Sequence, residues 1–407
     1  MTAEVNSGHA PPLSRNRNYH VLWGSQLVSE LVGQLSFIAF PLMVLTATGS
    51  ALWMGAVTAV VGAASMIANL PAGVLVDRFD RKLVMLVCQC ARAVALGGLA
   101  VALFTGHFSM PLVLVVAVAE GLLSAAFDPA EHAALPQVVP EAQLSAAVAR
   151  NTVRRYVATL AGPASAGLLF AADPRTPFAV ASVLLVASCA VLCFLRLPRR
   201  VLVPGPGSTS MLTDGFRWVL RHRVIRSTLL WLIACELFIS ALLIIVLAAS
   251  GDRDMPPGEL GVIMIGFGAG GLLGAAVAGR LHAAVPGPAV LIGFPWIAAT
   301  LTLVMAQVPT GVLTGVLLGG IAFFIPTAFT TVMTYQITVA PDELRGRLSG
   351  IVGLFAGGAG AIGPLVGGLL MTGGNSRSSL LICGVSMAVG AVGTLLSPTL
   401  RRFPTLK

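Results

Sequence analysis

The chain has 407 residues, 56% of them hydrophobic and only 10% charged, with 45 glycines and a mean hydropathy of +0.90. A soluble globular domain carries about 25% charged residues. The composition therefore excludes one and, with repeated apolar runs of about 20 residues, predicts an all-α polytopic membrane protein.

Residues 1–18 are polar and hold two prolines. No cleavable signal is expected there, and the first apolar run reads as a start-transfer helix that stays. Apolar runs with Gly, Pro or charged breaks predict twelve spans, at about 20–47, 51–76, 83–105, 110–128, 144–171, 177–196, 227–249, 258–281, 288–306, 311–337, 348–372 and 378–399. The long connection 197–226 carries seven arginines from Arg196 to Arg226, counting its edges, and Pro-Gly-Pro-Gly at 204–207. It divides the chain into six-helix bundles at 1–196 and 227–407, and its Met211–Arg226 part has the makings of an amphipathic surface helix. An internal repeat supports the division. Pro140-Glu141-Ala142-Gln143-Leu144 precedes Gly162-Pro163, and Pro341-Asp342-Glu343-Leu344 precedes Gly363-Pro364, with offsets of 200 at the leucine and 201 at the Gly-Pro. Two pseudo-symmetric six-span halves suit a rocker-type transporter.

The net charge of +9 follows topology rather than nucleic acid. Of 25 Lys and Arg, 18 fall in alternate loops and tails, 4 in helices, and 3 (Arg175, Arg253 and Arg377) in the opposite loops. By the positive-inside bias both termini are expected on the cytoplasmic side of the inner membrane. The six cysteines lie in apolar segments and read as small core residues, and no histidine has an adjacent nucleophile. No metal, cofactor or enzymatic activity is expected.

The densest charge lies between spans 2 and 3, where Asp77, Arg78, Asp80, Arg81 and Lys82 fall within six residues. Gly73-x-Leu75-x-Asp77-Arg78-x-x-Arg81-Lys82 resembles the loop 2–3 motif of the major facilitator superfamily. The resemblance covers essentially the whole chain. The Asn-Arg-Asn entry to span 1 and the Pro-Ala-Gly before the motif are similar to the bacterial macrolide- and enterobactin-exporter branch. The resemblance implies the twelve-helix major facilitator fold. It also implies a conformational gate at Gly73, Asp77, Arg78, Arg81 and Lys82, with Asp77 closing a charge-assisted contact worth about 1.5–3 kcal/mol. A solvated basic loop would account for Arg78, Arg81 and Lys82 but not for Asp77. Asp80 stands where the family has glycine and is less tolerant of a positive-φ turn. The equivalent stretch of the second half, Gly274 to Arg280, lacks the acid.

A carboxylate at bilayer depth costs about 2.5–3.5 kcal/mol on the lenient scale and needs a reason. Gln26, Glu30 and Gln34 recur every four residues in span 1, on one helical stripe. Glu120 lies in span 4, with Asp128 at its end, and Glu236 lies in span 7. The resemblance puts spans 1, 4, 7 and 10 around the central cavity. Desolvation favours a neutral carboxyl group, so Glu30, Glu120 and Glu236 are proton-coupling candidates, or else neutral glutamates that order packing. The family's span 4 arginine is absent, with Ala117 in its place, so the usual proton relay is absent or rebuilt. In span 5, Arg150, Arg154 and Arg155 either pair with Asp128 or Glu131 or present a cavity arginine to substrate. Gly162, Pro163 and Gly167 resemble the antiporter motif of that span. Phe323, Phe324, Thr327, Thr331 and Tyr335 in span 10 suit a bulky amphipathic ligand, or else packing or lipid.

The expected function is secondary active efflux of a hydrophobic or amphipathic small molecule by proton antiport. The alternative is proton-coupled import of a small nutrient. The expected partners are substrate, protons and the bilayer, with no nucleic acid, and the expected state is a monomer.

Overall fold

A computed structural model describes residues 13–197, 217–219, 221–251, 257–309, 311–339, 342–401 and 403. Among them run twelve long helices. The first half comprises α1 (Arg17–Thr48), α2 (Ala51–Arg78), α3 (Arg81–Phe104), α4 (Met110–Val138), α5 (Glu141–Ala172) and α6 (Thr176–Cys193). The second comprises α7 (Arg223–Gly251), α8 (Pro257–Ala284), α9 (Gly287–Met305), α10 (Val312–Val339), α11 (Asp342–Thr372) and α12 (Ser376–Leu396), followed by the short α13 (Pro398–Arg401). Eleven of the twelve are long and apolar enough to cross a membrane. The remaining one, α5, carries Arg150, Arg154 and Arg155 and is the least apolar. Residues 198–216 of the central connection lie outside the described residues, and Arg217–Val219 is helical.

Local chemistry sets the helix ends. Gly49 closes α1 in the left-handed region at φ 65°, with its N–H donating to the Leu45 carbonyl. The next residue, Ser50, caps α2 by accepting from the Trp53 N–H. Asn16 caps α1 through the Tyr19 N–H, and its own amide donates to the Val138 carbonyl at 2.6 Å. The main departure from expectation is α4. It continues ten residues past 128, through Pro129 and Pro136, so Asp128 and Glu131 sit within a helix. Proline is tolerated in membrane helices because neighbours satisfy the freed carbonyls. Pro136 leaves the His132 carbonyl without its helical donor, and at the next residue Arg81 of α3 donates to the Ala133 carbonyl at 2.5 Å, tying this stretch to α3.

Within each half the same partners pack: α1 on α5, α2 on α4 and α3 on α6, matched by α7 on α11, α8 on α10 and α9 on α12. The halves meet chiefly through α2–α11 and α5–α8, pairs that exchange under the pseudo-two-fold. One face of the bundle carries the start of α1 and the α2–α3 and α4–α5 connections, and is called the terminal face here. At the opposite, distal face the two halves are in tight contact. A Cβ on Gly368 would lie 2.5 Å from the Ala51 carbonyl, and one on Gly55 would strike the Pro364 carbonyl. On α5–α8, Gly261 lies against Gly167 and Leu168. Toward the terminal face the helices part. A Cβ on Gly358 would meet only the Met66 sulfur at 3.3 Å, and at Gly353 and Gly350 it would meet nothing within 4 Å. The two halves form a wedge, closed at the distal face and splayed toward the terminal one.

Candidate functional site

The α1 stripe is the spine of a charge cluster in the first half. Glu30 is 13% exposed and receives Arg154 of α5, whose Nε and Nη2 reach its two oxygens at 3.2 and 3.4 Å. Arg155, 62% exposed, approaches the same carboxylate at 3.8 Å. Arg154 is 1% exposed and also donates to Asn151 at 3.1 Å. Its Nη1 lies 3.7 Å from Oε1 of Glu131, a fully buried residue of α4. His132 stands 3.6 Å from the other Glu131 oxygen. Neither Glu131 oxygen has a hydrogen-bond partner among the described residues. A buried carboxylate without such partners is costly while it is ionised.

Arg92 of α3 makes a second centre. Its guanidinium is fully buried and bidentate on Glu120, with Nε to Oε2 at 3.0 Å and Nη2 to Oε1 at 2.5 Å. Its third nitrogen donates to Ser29 of α1 at 2.7 Å. Two parallel charge-assisted bonds hold this pair. The arginine missing at Ala117 is thus supplied to Glu120 from the neighbouring helix. Sequence reasoning passed over Arg92, although a lone arginine midway along a 24-residue apolar helix is costly and so was a readable signal. It also treated Glu131 only as a partner for arginine, because the predicted span 4 stopped at 128.

The other candidates fall in several settings. Gln26 is fully buried rather than lining open space, donating to Asp128 at 3.4 Å. Gln34 is half-buried, and its Cβ packs directly on Gly162, so Gly162 lets α1 and α5 approach. Pro163, the next residue, and Gly167, more than a turn further along α5, are also buried. Arg150 is exposed. In the second half, Glu236 lies beside Gly360 of α11, with no ion-pair partner among the described residues. Thr327 and Tyr335 are enclosed rather than facing a cavity. Tyr335 stacks on Phe403 at 4.6 Å, and the Thr327 backbone carbonyl accepts from Thr331. Phe323 and Phe324 form an edge-to-face pair at 5.1 Å.

The loop 2–3 motif works as a helix junction. Asp80 needs no positive φ: it sits at φ −62°, ψ 122° and caps α3 by accepting from the Leu83 N–H at 3.0 Å. That corrects the expectation of a strained turn and gives the aspartate a role of its own. Lys82 donates to the Cys193 carbonyl at 2.7 Å, at the end of α6, where carbonyls lack helical partners. Arg78 is exposed. The side chains of Gly73 and Asp77 lie outside the described residues, although both positions are helical in α2. The cysteines also differ from expectation. Cys90 and Cys193 are exposed, and the Cys90 sulfur lies 3.1 Å from that of Cys189.

The architecture and the sequence agree with known transporters. A family model described as a transmembrane secretion effector matches residues 6–404. The multidrug efflux pump Tap of Mycolicibacterium fortuitum is 28% identical over 390 residues, covering 90% of this chain and 92% of that one. The enterobactin exporter EntS of Salmonella choleraesuis is 25% identical over 380 residues, covering 90% of this chain and 89% of that one. Among solved structures, a point mutant of the nucleoside transporter NupG superposes with a TM-score of 0.76 at 13% identity, covering 93% of this chain and 99% of that one. The chain belongs to the transmembrane secretion effector family, within the major facilitator superfamily of secondary transporters.

Proposed function

We propose that the chain exports a hydrophobic or amphipathic small molecule across the inner membrane by proton antiport. The names of Tap and EntS support export. So does the Gly162-Pro163 segment of α5, which packs against Gln34 of α1. The 18-to-3 loop charge bias supports a cytoplasmic terminal face, which makes the splayed wedge an inward-facing state. That orientation has a direct check. In a background without native cysteines, Ser14→Cys should be labelled only from the cytoplasm and Ser109→Cys only from outside. Labelling of both from one side would reverse the reading.

The observation that carries the coupling is the sharing of Arg154 by Glu30 and Glu131. Arg92 is committed to Glu120, so one buried guanidinium serves two carboxylates, and the exposed Arg155 adds only a weak third contact. An unbalanced buried carboxylate is expensive, and a proton removes the cost. In the inward-facing state Arg154 lies closer to Glu30, and Glu131 holds the proton. When Glu131 loses its proton it competes for Arg154 and loosens the α1–α5 contact. Substrate binding near the partly open Glu30–Arg155 edge shifts the same balance. Each antiport cycle thus turns on which carboxylate holds the guanidinium.

Glu131→Gln keeps the neutral form permanently. In proteoliposomes, uptake of a fluorescent hydrophobic cation driven by a pH gradient should fall at least tenfold, while ligand binding survives. Glu30→Gln should behave alike. Gradient-driven transport at the native rate in both variants would remove the shared arginine from the mechanism.

A further inference from the structure

On the terminal face the starts of α1 and α3 and the ends of α4 and α6 enclose a cavity of about 700 Å³. Arg15, Arg17, Lys82 and Arg196 line it, and no carboxylate does among the described residues. None of the four cations has an acidic partner among the described residues. Lys82 spends one proton on the Cys193 carbonyl and keeps two. Arg17 lies over the exposed Phe194 ring at 5.7 Å, which holds its guanidinium at the rim. Four cations gathered in one concavity repel one another unless an anion joins them.

A second observation bears on the kind of anion. Directly below the cavity, α3 presents Leu83, Val87, Val94 and Val101 as one exposed apolar stripe, and α6 presents Val183, Val186 and Val191 beside it. The cavity therefore opens where helix ends meet the bilayer boundary, with polar cations at headgroup level and bare hydrocarbon beneath. A soluble phosphate would use only the upper part. An acidic phospholipid would use both, its phosphates among the cations and its acyl chains along α3 and α6. Basic pockets between helix ends are the usual setting for such headgroups.

We propose that this cavity binds the headgroup of an anionic phospholipid. A lipid with two phosphodiesters fits best, because four cations without an acidic partner among the described residues outnumber the charge of one. The bound headgroup would tie the entry of α1, the start of α3 beside the loop 2–3 motif, and the end of α6 into one unit of the first half.

The test uses the full chain, reconstituted in phosphatidylcholine nanodiscs, with binding of fluorescent cardiolipin, phosphatidylglycerol and phosphatidylcholine measured at one ionic strength. Cardiolipin should bind best and phosphatidylcholine worst. The triple variant Arg15→Gln/Arg17→Gln/Arg196→Gln should lose at least tenfold in cardiolipin affinity. The matching triple Arg→Lys variant should retain it, as should Arg280→Gln, which removes an exposed cation from the second half. Equal loss in Arg280→Gln would mean diffuse surface attraction and overturn the site. Unchanged binding in the triple Gln variant would overturn it too. Displacement of cardiolipin by inorganic phosphate or pyrophosphate at comparable concentration would overturn the lipid assignment in favour of a soluble anion.

Discussion

The two halves share a fold and divide the labour. In the first, Glu30, Arg92, Glu120, Glu131 and Arg154 form contacts among α1, α3, α4 and α5. In the second, Glu236 is the counterpart acid, and no described cation pairs with it. The second half has a longer seam of small residues at α8–α10, where the equivalent α2–α4 contact has one such approach, Gly121 against the Val61 carbonyl. Gly266, Gly270 and Gly274 of α8 lie so close to Gly315, Gly319 and Phe323 of α10 that a Cβ on any of the three would strike a carbonyl oxygen. Backbone approach of this kind drives helix association in lipid, where the hydrophobic effect is silent. The helix pairing thus recurs in both halves, whereas the described buried ion pairs fall in the first.

The largest effect should come from Glu120. Glu120→Ala strands the fully buried Arg92 guanidinium, and breaking such a pair costs about 3–5 kcal/mol. Thermal unfolding in detergent should show severe loss or no folded protein. The double change Arg92→Met/Glu120→Leu removes both charges and should recover most of the stability. Glu236→Gln, with no pair to break, should be close to neutral. If Glu236→Gln were as damaging as Glu120→Ala, the halves would not differ in the way described.

The seam of the second half gives the next effect. Gly270→Ala puts a methyl group against the Gly319 carbonyl, and overpacking of this sort costs about 1–3 kcal/mol. Its neighbour Gly271 meets nothing within 4 Å, so Gly271→Ala should be neutral or raise stability by about 0.5–1 kcal/mol through helix propensity. Opposite signs for adjacent glycines would place the α8–α10 contact at atomic resolution. Like signs would dissolve the seam.

Much of this was readable in the sequence, for physical reasons. Apolar runs bounded by Gly, Pro and charge located the helices, because lipid forces every spanning segment to satisfy its own backbone. The stripe Gln26–Glu30–Gln34 located the spine of the site, because polar residues at bilayer depth are costly. Two things were hidden. The first was the length of α4: Asp128, Pro129, Glu131 and Pro136 look like a loop to any hydropathy argument, and only packing against α1, α2 and α3 keeps them helical. The second was pairing across helices. Nothing local in the sequence says that Arg92 meets Glu120 or that Arg154 chooses Glu30, since those meetings depend on helix rotation and depth. Tyr335 shows the same limit, because its enclosure comes from Phe403, far along the chain.

The smallest effect sharpens the comparison at the equivalent inter-helix junctions. In the first half Asp80 caps α3 with its side chain, and Lys82 satisfies the end of α6. In the second, Pro286 precedes α9 and no side chain caps the helix. Pro286 fixes the entry by its ring, whereas Asp80 fixes it by a hydrogen bond. Replacing a capping aspartate by alanine costs about 1 kcal/mol, and by glycine only a few tenths. Asp80→Ala should therefore lower stability measurably, Asp80→Asn should be nearly silent, and Asp80→Gly should fall between them. The glycine variant is the discriminating one, because it restores the residue usual in the resembled motif. At φ −62° the position gains nothing from glycine's freedom, so Asp80→Gly should never exceed the native chain in stability. If it did, the junction would need a left-handed residue in some part of the cycle, and the cap would be a compromise rather than the reason for the aspartate.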